Sequence, residues 1–273
     1  MKLSAMTYSF AQQRHPSPPQ GYPALIAKAG VQGINWVTGA GLSPEEVIRC
    51  TKDAGLEISS YTFALSGVVL GKTESEYLAE AEVHFKFAGE IDAKRVMVVP
   101  QPVNRNPNRD ESRAKWCEIY KKLQPMAKAN NVIMTVENFQ GATSPFVTAA
   151  DLLEVKNAVE EIRFTFDAGN AATGEDPLYT LDHIHEFIEF VHIKDWTLAE
   201  TAVPGATAGI NGKFYLPALP GEGILDIPGI LAGLKRYGYE GFIDIEYEGK
   251  EAAEKVVEKV ASYMRSLPGN YFS

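Results

Sequence analysis

Short runs of apolar and β-branched residues alternate with longer helical patterns along the whole chain. Runs at 2–10, 31–37, 56–65, 94–100, 131–138, 161–167, 190–195 and 241–248 read as strands. Helical periodicity falls at 20–29, from Ser43, at 74–90, 109–129, from Thr148, and at 177–188, 227–237 and 249–265. Ser43-Pro44-Glu45-Glu46 is the clearest helix start, with an N-cap serine, a proline at the first helical position and early acids. The Gly- and Pro-rich stretch 197–223 is too long for a simple connector and is expected to be a lid or binding loop.

Eight strand–helix pairs without a break in composition predict an α/β chain folded as a single (β/α)8 TIM barrel, one domain over residues 1–273. An open doubly wound sheet is the competing architecture. It favours a glycine-rich phosphate loop after the first strand. The segment there reads AQQRHPSPPQG and has no such loop.

Composition narrows the partners. Of 273 residues, 45% are apolar and 22% charged, and 26 basic against 35 acidic side chains leave a formal charge of −9. That balance argues against nucleic acid or an anionic membrane as partner. Cys50 and Cys117 are expected to be separate reduced thiols. MKLSAMTYSF lacks the apolar stretch of a signal peptide, and no run reaches the roughly 18 apolar residues of a membrane span. The expectation is a cytoplasmic protein, with assembly into a homo-oligomer left open.

Active sites of such barrels lie at the C-terminal strand ends. Side chains alternate along a strand. Val136, Phe166, Ile193 and Ile245 then face the helices, and Glu137, Asp167, His192 and Glu246 face the axis. Taken singly, each has a plain structural reading as a solvated or paired polar residue. Together, three carboxylates gathered by consecutive strands repel unless protonated or held by a cation. Three oxygen ligands and an imidazole suit a divalent ion: Mn²⁺, Mg²⁺, Co²⁺ or Zn²⁺.

ENF at 137–139, FDAGNAATGEDP at 166–177, HIKDW at 192–196 and GEGILDIPGILAGLKRYGYEGFIDIE at 221–246 together resemble the xylose isomerase-like TIM barrels, in particular the sugar phosphate isomerase/epimerase group. The resemblance is strong in the C-terminal half and mainly one of layout in the N-terminal half. It implies that Glu137, Asp167, His192 and Glu246 are the metal ligands and that Glu137 and Glu246 form the acid–base pair. The implied activity is a metal-dependent isomerase or epimerase of a small carbohydrate: a sugar, sugar phosphate or related keto-polyol. Proton transfer would run through a metal-stabilised enediolate. The alternative is a dehydratase of the inosose or 3-dehydroshikimate type, which begins alike and then expels a β-hydroxyl. Related DNA-repair endonucleases use many histidines and a basic face, which five scattered histidines and a charge of −9 oppose. A non-catalytic binding barrel is also compatible with the fold.

Further candidates surround this set. Lys194 shares the face of His192 and either donates to a substrate oxygen or phosphate or pairs with an acid such as Asp167. Asn138 and Asn170 suit substrate hydroxyls or turn chemistry. Glu222, in PGEG, and His15, after the first strand, are candidate substrate contacts. Asp244 faces inward one layer below Glu246 and needs a partner, whereas Asp195 falls on the opposite face or in the loop. Ketose 3-epimerases of this group carry a histidine shortly after the sixth-strand acid and an arginine after the seventh-strand motif. Here those segments read DAGN and DWTLAETAVPG, with neither residue.

Overall fold

The computed structural model describes residues 1–272. Eight parallel strands close into a barrel: β1 (Lys2–Met6), β2 (Gly33–Val37), β3 (Glu57–Ala64), β4 (Arg95–Val99), β5 (Ile133–Glu137), β6 (Arg163–Asp167), β7 (Ile188–Ile193) and, after three further strands, β11 (Phe242–Ile245). Each neighbours its predecessor around the ring, and β11 pairs with both β7 and β1. This is the (β/α)8 TIM barrel that the strand–helix alternation predicts.

Helices return the chain between strands. The one at Pro44–Asp53 starts as its sequence requires: Ser43 Oγ accepts from the Glu46 amide, and the Glu46 carboxylate accepts from the Ser43 amide. Thr148 and Asp151 cap the helix Ala149–Ala158 in the same reciprocal way. Val136, Phe166, Ile193 and Ile245 are buried in the layer between barrel and helices. That burial fixes the register, because a one-residue slip would turn the opposite face inward.

One boundary is corrected: the first strand ends at Met6 rather than residue 10, and Tyr8–Gln12 is a short helix. The stretch 197–223, expected to be a lid or binding loop, contains regular structure. It carries β9 (Thr207–Ala208) and β10 (Phe214–Ala218), which with β8 (Asp195–Ala199) form an antiparallel sheet in the order β8-β10-β9. Its root is buried: Trp196 and Tyr215 pack edge to face with ring centres 6.2 Å apart. Trp196 Nε1 donates to the Gly169 carbonyl at 2.7 Å and the Tyr215 hydroxyl to that of Ala172 at 2.6 Å. Buried polar ends satisfied in this way anchor the sheet to the short helix Ala168–Ala172. No helix among the described residues is long and apolar enough to cross a membrane.

Candidate metal centre

Glu137, Asp167, His192 and Glu246 meet at the C-terminal end of the barrel. Each offers one donor atom, and the four atoms lie within 4.8 Å of one another. Register explains the meeting. Asp167 stands opposite His192 across β6 and β7, and His192 opposite Asp244 across β7 and β11. Glu246 follows one inward layer above Asp244.

His192 Nδ1 lies 2.7 Å from Glu137 Oε1 and 3.2 Å from Glu246 Oε2. Burial disfavours the imidazolium, but these two carboxylates outweigh it and raise the His192 pKa well above the ordinary value. Burial pushes Asp167 up to about 8 and raises Glu137. Glu246 goes the other way: burial works against its ionised form, yet Lys194 and His192 pull it down to about 2.

The donor set fits a divalent cation. Asp167 Oδ2 and Glu246 Oε2 are buried carboxylate oxygens without a hydrogen-bond partner. Three carboxylates and an imidazole are the ligand types a hard or borderline ion takes. Beneath them, Asp244 has the partners its burial demands: Ser4 Oγ donates to Oδ1 at 2.5 Å and Asn35 Nδ2 to Oδ2 at 3.0 Å, while Thr62 Oγ1 donates to Asn35 Oδ1 at 3.0 Å. Asp244 Oδ2 also lies 3.8 Å from His192 Nε2, where it helps orient the ring.

Lys194 is buried inside this group. Its Nζ lies 2.8 Å from Glu246 Oε1, 3.2 Å from Glu248 Oε1, 3.6 Å from Asp167 Oδ2 and 3.4 Å from Gln140 Oε1. The stem passes Gly169, where an added Cβ would meet Lys194 Cγ at 2.3 Å, so only glycine leaves it room.

The other candidates divide. Asn138 is consumed by the backbone of Asp167, donating to its carbonyl at 2.7 Å and accepting from its amide at 2.9 Å. It braces the ligand strand. Asn170 caps onto Asp167 through its amide at 2.7 Å, while its buried side-chain amide has no partner. His15 turns to the last helix, with Nε2 3.2 Å from Glu254 Oε2. Glu222 is exposed and is not drawn into the cluster. Asp195, left without a role by the sequence, accepts four backbone N–H groups: Trp196 at 2.8 Å, Gly221 and Gly223 at 3.0 Å and Leu225 at 3.1 Å. It ties the loop before the seventh helix–strand pair to the end of β7.

A cavity of about 200 Å³ opens beside the cluster. Glu137, Glu246 and Glu248 form one side. The ends of β1–β4 and the segments that follow them, with Phe139, supply the rest, including Met6, Tyr8, Met97 and Val99. Sequence reasoning missed Glu248, Gln140 and Tyr8. For Glu248 a signal existed, since it continues the inward alternation of Asp244 and Glu246. His84, His183 and His185 lie elsewhere: His84 stacks on Phe63 with ring centres 4.4 Å apart, His183 bonds the Tyr179 carbonyl at 2.8 Å, and His185 stacks on Tyr237 at 3.8 Å. The thiols of Cys50 and Cys117 are free.

Comparison with known proteins identifies the family. The family model for the xylose isomerase-like TIM barrel matches residues 23–267. Among curated proteins, an inosose dehydratase of Lacticaseibacillus casei is 29% identical over 105 residues, which is 36% of this chain and 34% of that one. The match thus spans about a third of that relative. Among solved structures, the IOLI protein with a bound zinc atom has a TM-score of 0.79 at 17% identity, covering 100% of both chains. D-Psicose 3-epimerase with D-tagatose from Clostridium cellulolyticum H10 has a TM-score of 0.74 at 13% identity, covering 97% of each. At these identities the structural likeness is one of fold.

Proposed function

Because the chain belongs to the xylose isomerase-like TIM barrel family, we propose that it is a divalent-metal-dependent isomerase or epimerase of a sugar, sugar phosphate or related keto-polyol. The observation that carries this reading is the convergence of four buried donor atoms within 4.8 Å beside a cavity. Glu137, Asp167, His192 and Glu246 would hold the ion. Once bound, a divalent ion polarises a substrate carbonyl and acidifies the neighbouring C–H.

The chain's own residues supply the proton transfer. Glu137 ends β5 and Glu246 follows β11, with β6 and β7 between them, so the two carboxylates border the cavity from separated strands. One accepts the proton from carbon and the other returns one. Return to the same carbon inverts it, and return to the neighbouring carbon exchanges aldose and ketose. Lys194 holds Glu246 and Glu248 in place from behind. Met6, Met97, Val99 and Phe139 keep that part of the cavity apolar, which limits water around the carbanion-like intermediate.

A dehydratase is the second reading. It is favoured by the partial similarity to inosose dehydratase. Both begin with the same proton abstraction. Purified protein supplied with Mn²⁺ in D₂O, followed by NMR over a small set of ketoses and keto-polyols, separates them. Deuterium at one carbon of a rearranged product is the expected outcome, and Glu137→Gln or Glu246→Gln should abolish it. An enone absorbance with loss of water assigns the dehydratase. Absence of any exchange, with no divalent ion retained by the protein, defeats both.

A further inference from the structure

Resting on that reading, we infer that the site selects an uncharged keto-sugar or keto-polyol of about monosaccharide size and rejects phosphorylated or carboxylated analogues.

The charges around the cavity carry the inference. Three of its lining residues, Glu137, Glu246 and Glu248, are carboxylates. No lysine or arginine lines it among the described residues. The nearest cation, Lys194, is already committed. Its side chain is 3% exposed, and its ammonium lies within 2.8–3.6 Å of oxygens from Glu246, Glu248 and Asp167. An ammonium has three protons to donate, and Gln140 Oε1 at 3.4 Å adds a fourth acceptor around it. Nothing is left to greet an incoming phosphate.

Formal counting agrees. Glu137, Asp167, Glu246 and Glu248 bring four negative charges, and Lys194 returns one. A divalent ion in the cluster returns two more, leaving the group about one charge negative, before buried Asp244 is counted. An anionic ligand would enter against that residue of charge in a half-enclosed, weakly screened space. Phosphate sites depend instead on Arg, Lys, helix N-termini or clustered backbone N–H groups.

The remaining wall matches the faces of a neutral polyol. Polar groups that can meet hydroxyls line the cavity: Glu248, Gln101, Thr38 and the Tyr8 phenol. Burial, then Glu248 and Glu246, raise the Tyr8 pKa, so it stays a neutral donor. Met97 and Val99 offer apolar surface to ring C–H groups. A cavity of about 200 Å³ admits one ring with its hydroxyls.

Matched probes test this. Mg²⁺-loaded protein is titrated with D-fructose and D-fructose 6-phosphate, and with an inosose and 3-dehydroshikimate. Binding is read by saturation-transfer NMR and turnover separately by deuterium wash-in. The neutral member of each pair should bind at least about 10-fold more tightly. Glu248→Gln should narrow that ratio by about 10-fold, since it removes one repelling charge. Val99→Lys, which places a cation on the cavity wall, should do the same by a second route. Equal or tighter binding of the anionic members overturns the inference, as does a failure of every probe to bind at millimolar concentration. Binding with the expected preference but without any deuterium wash-in upholds the charge selection and defeats the enzymatic reading instead.

Discussion

Replacing Lys194 with methionine keeps most of the buried stem and removes its charge. Lys194 Nζ lies 2.8, 3.2 and 3.6 Å from oxygens of Glu246, Glu248 and Asp167. At an effective dielectric near 20, those separations give gross attractions of about 6, 5 and 5 kcal/mol. Burying the ammonium costs several kcal/mol, and crowding the carboxylates costs more, so the net value is far smaller. Removing one partner of a buried ion pair typically costs about 3–5 kcal/mol, because the other charge is left alone. For a chain of this size that is a fall in melting midpoint of about 5–9 °C for the metal-free protein. A bound divalent ion supplies positive charge to Glu246 and Asp167 by another route, so the loaded variant should lose less. The gap between loaded and EDTA-treated midpoints should therefore be wider in Lys194→Met than in the parent. Thermal melts by circular dichroism, with EDTA and with Mg²⁺, measure all four values. If the EDTA-treated variant melts within about 2 °C of the parent, Lys194 is not the cation that holds these acids together.

The metal-free protein should lose stability as pH rises from about 6.5 to 8. Asp167, raised to about 8, and His192, raised well above its ordinary value, both bind more protons folded than unfolded in that window. Stability present below it is lost on the way up, at more than about 1 kcal/mol per pH unit. Glu246, depressed to about 2, loses its contribution only in acid and does not oppose this slope. Urea titrations at several pH values in EDTA read it directly, and a flat or rising profile contradicts the assignment of these shifts to burial and mutual charge. Asp195→Asn should loosen the 221–225 loop, because one amide oxygen cannot replace two carboxylate oxygens that accept four N–H groups. A loss of about 2–4 kcal/mol is expected, with faster amide exchange at Gly221 and Gly223. Unchanged exchange at those amides would show that the carboxylate does not tie the loop.

The barrel was legible because its signals are local and repeated. Ser43-Pro44-Glu45-Glu46 marks a helix start by capping chemistry alone, and strands β5, β6 and β7 declare their buried faces by alternation. The four converging residues were legible for the same reason, since alternation plus the strand-end rule aims each side chain before any contact is known. What escaped depends on approach between distant segments. Asn138 looks like a substrate group in sequence and proves to clamp Asp167, 29 residues on. His15 looks available and is engaged by Glu254, 239 positions later. The β8-β10-β9 sheet hid in a Gly- and Pro-rich stretch because its pairing is long-range and its buried anchors, Trp196 and Tyr215, stand isolated in sequence.

Consecutive residues of HIKD serve three separate ends because the chain leaves the barrel between them. The β7 ladder stops at Ile193, whose carbonyl still receives the Glu246 amide at 3.1 Å. Lys194 belongs to neither strand, which frees its side chain to run past Gly169 toward Asp167 of β6 and the acids that follow β11. Asp195 then opens β8, and its carboxylate gathers the loop that leads into the last helix–strand pair. His192 faces the cluster within the ladder, Lys194 neutralises the same cluster from just beyond it, and Asp195 fixes where the chain turns. Moving the ladder's end by one residue would exchange the faces of Lys194 and Asp195 and set a carboxylate, rather than an ammonium, against Glu246. The strand's termination point is therefore part of the site's electrostatics, and the glycine that lets Lys194 pass is as much a requirement of the cluster as the carboxylates it serves.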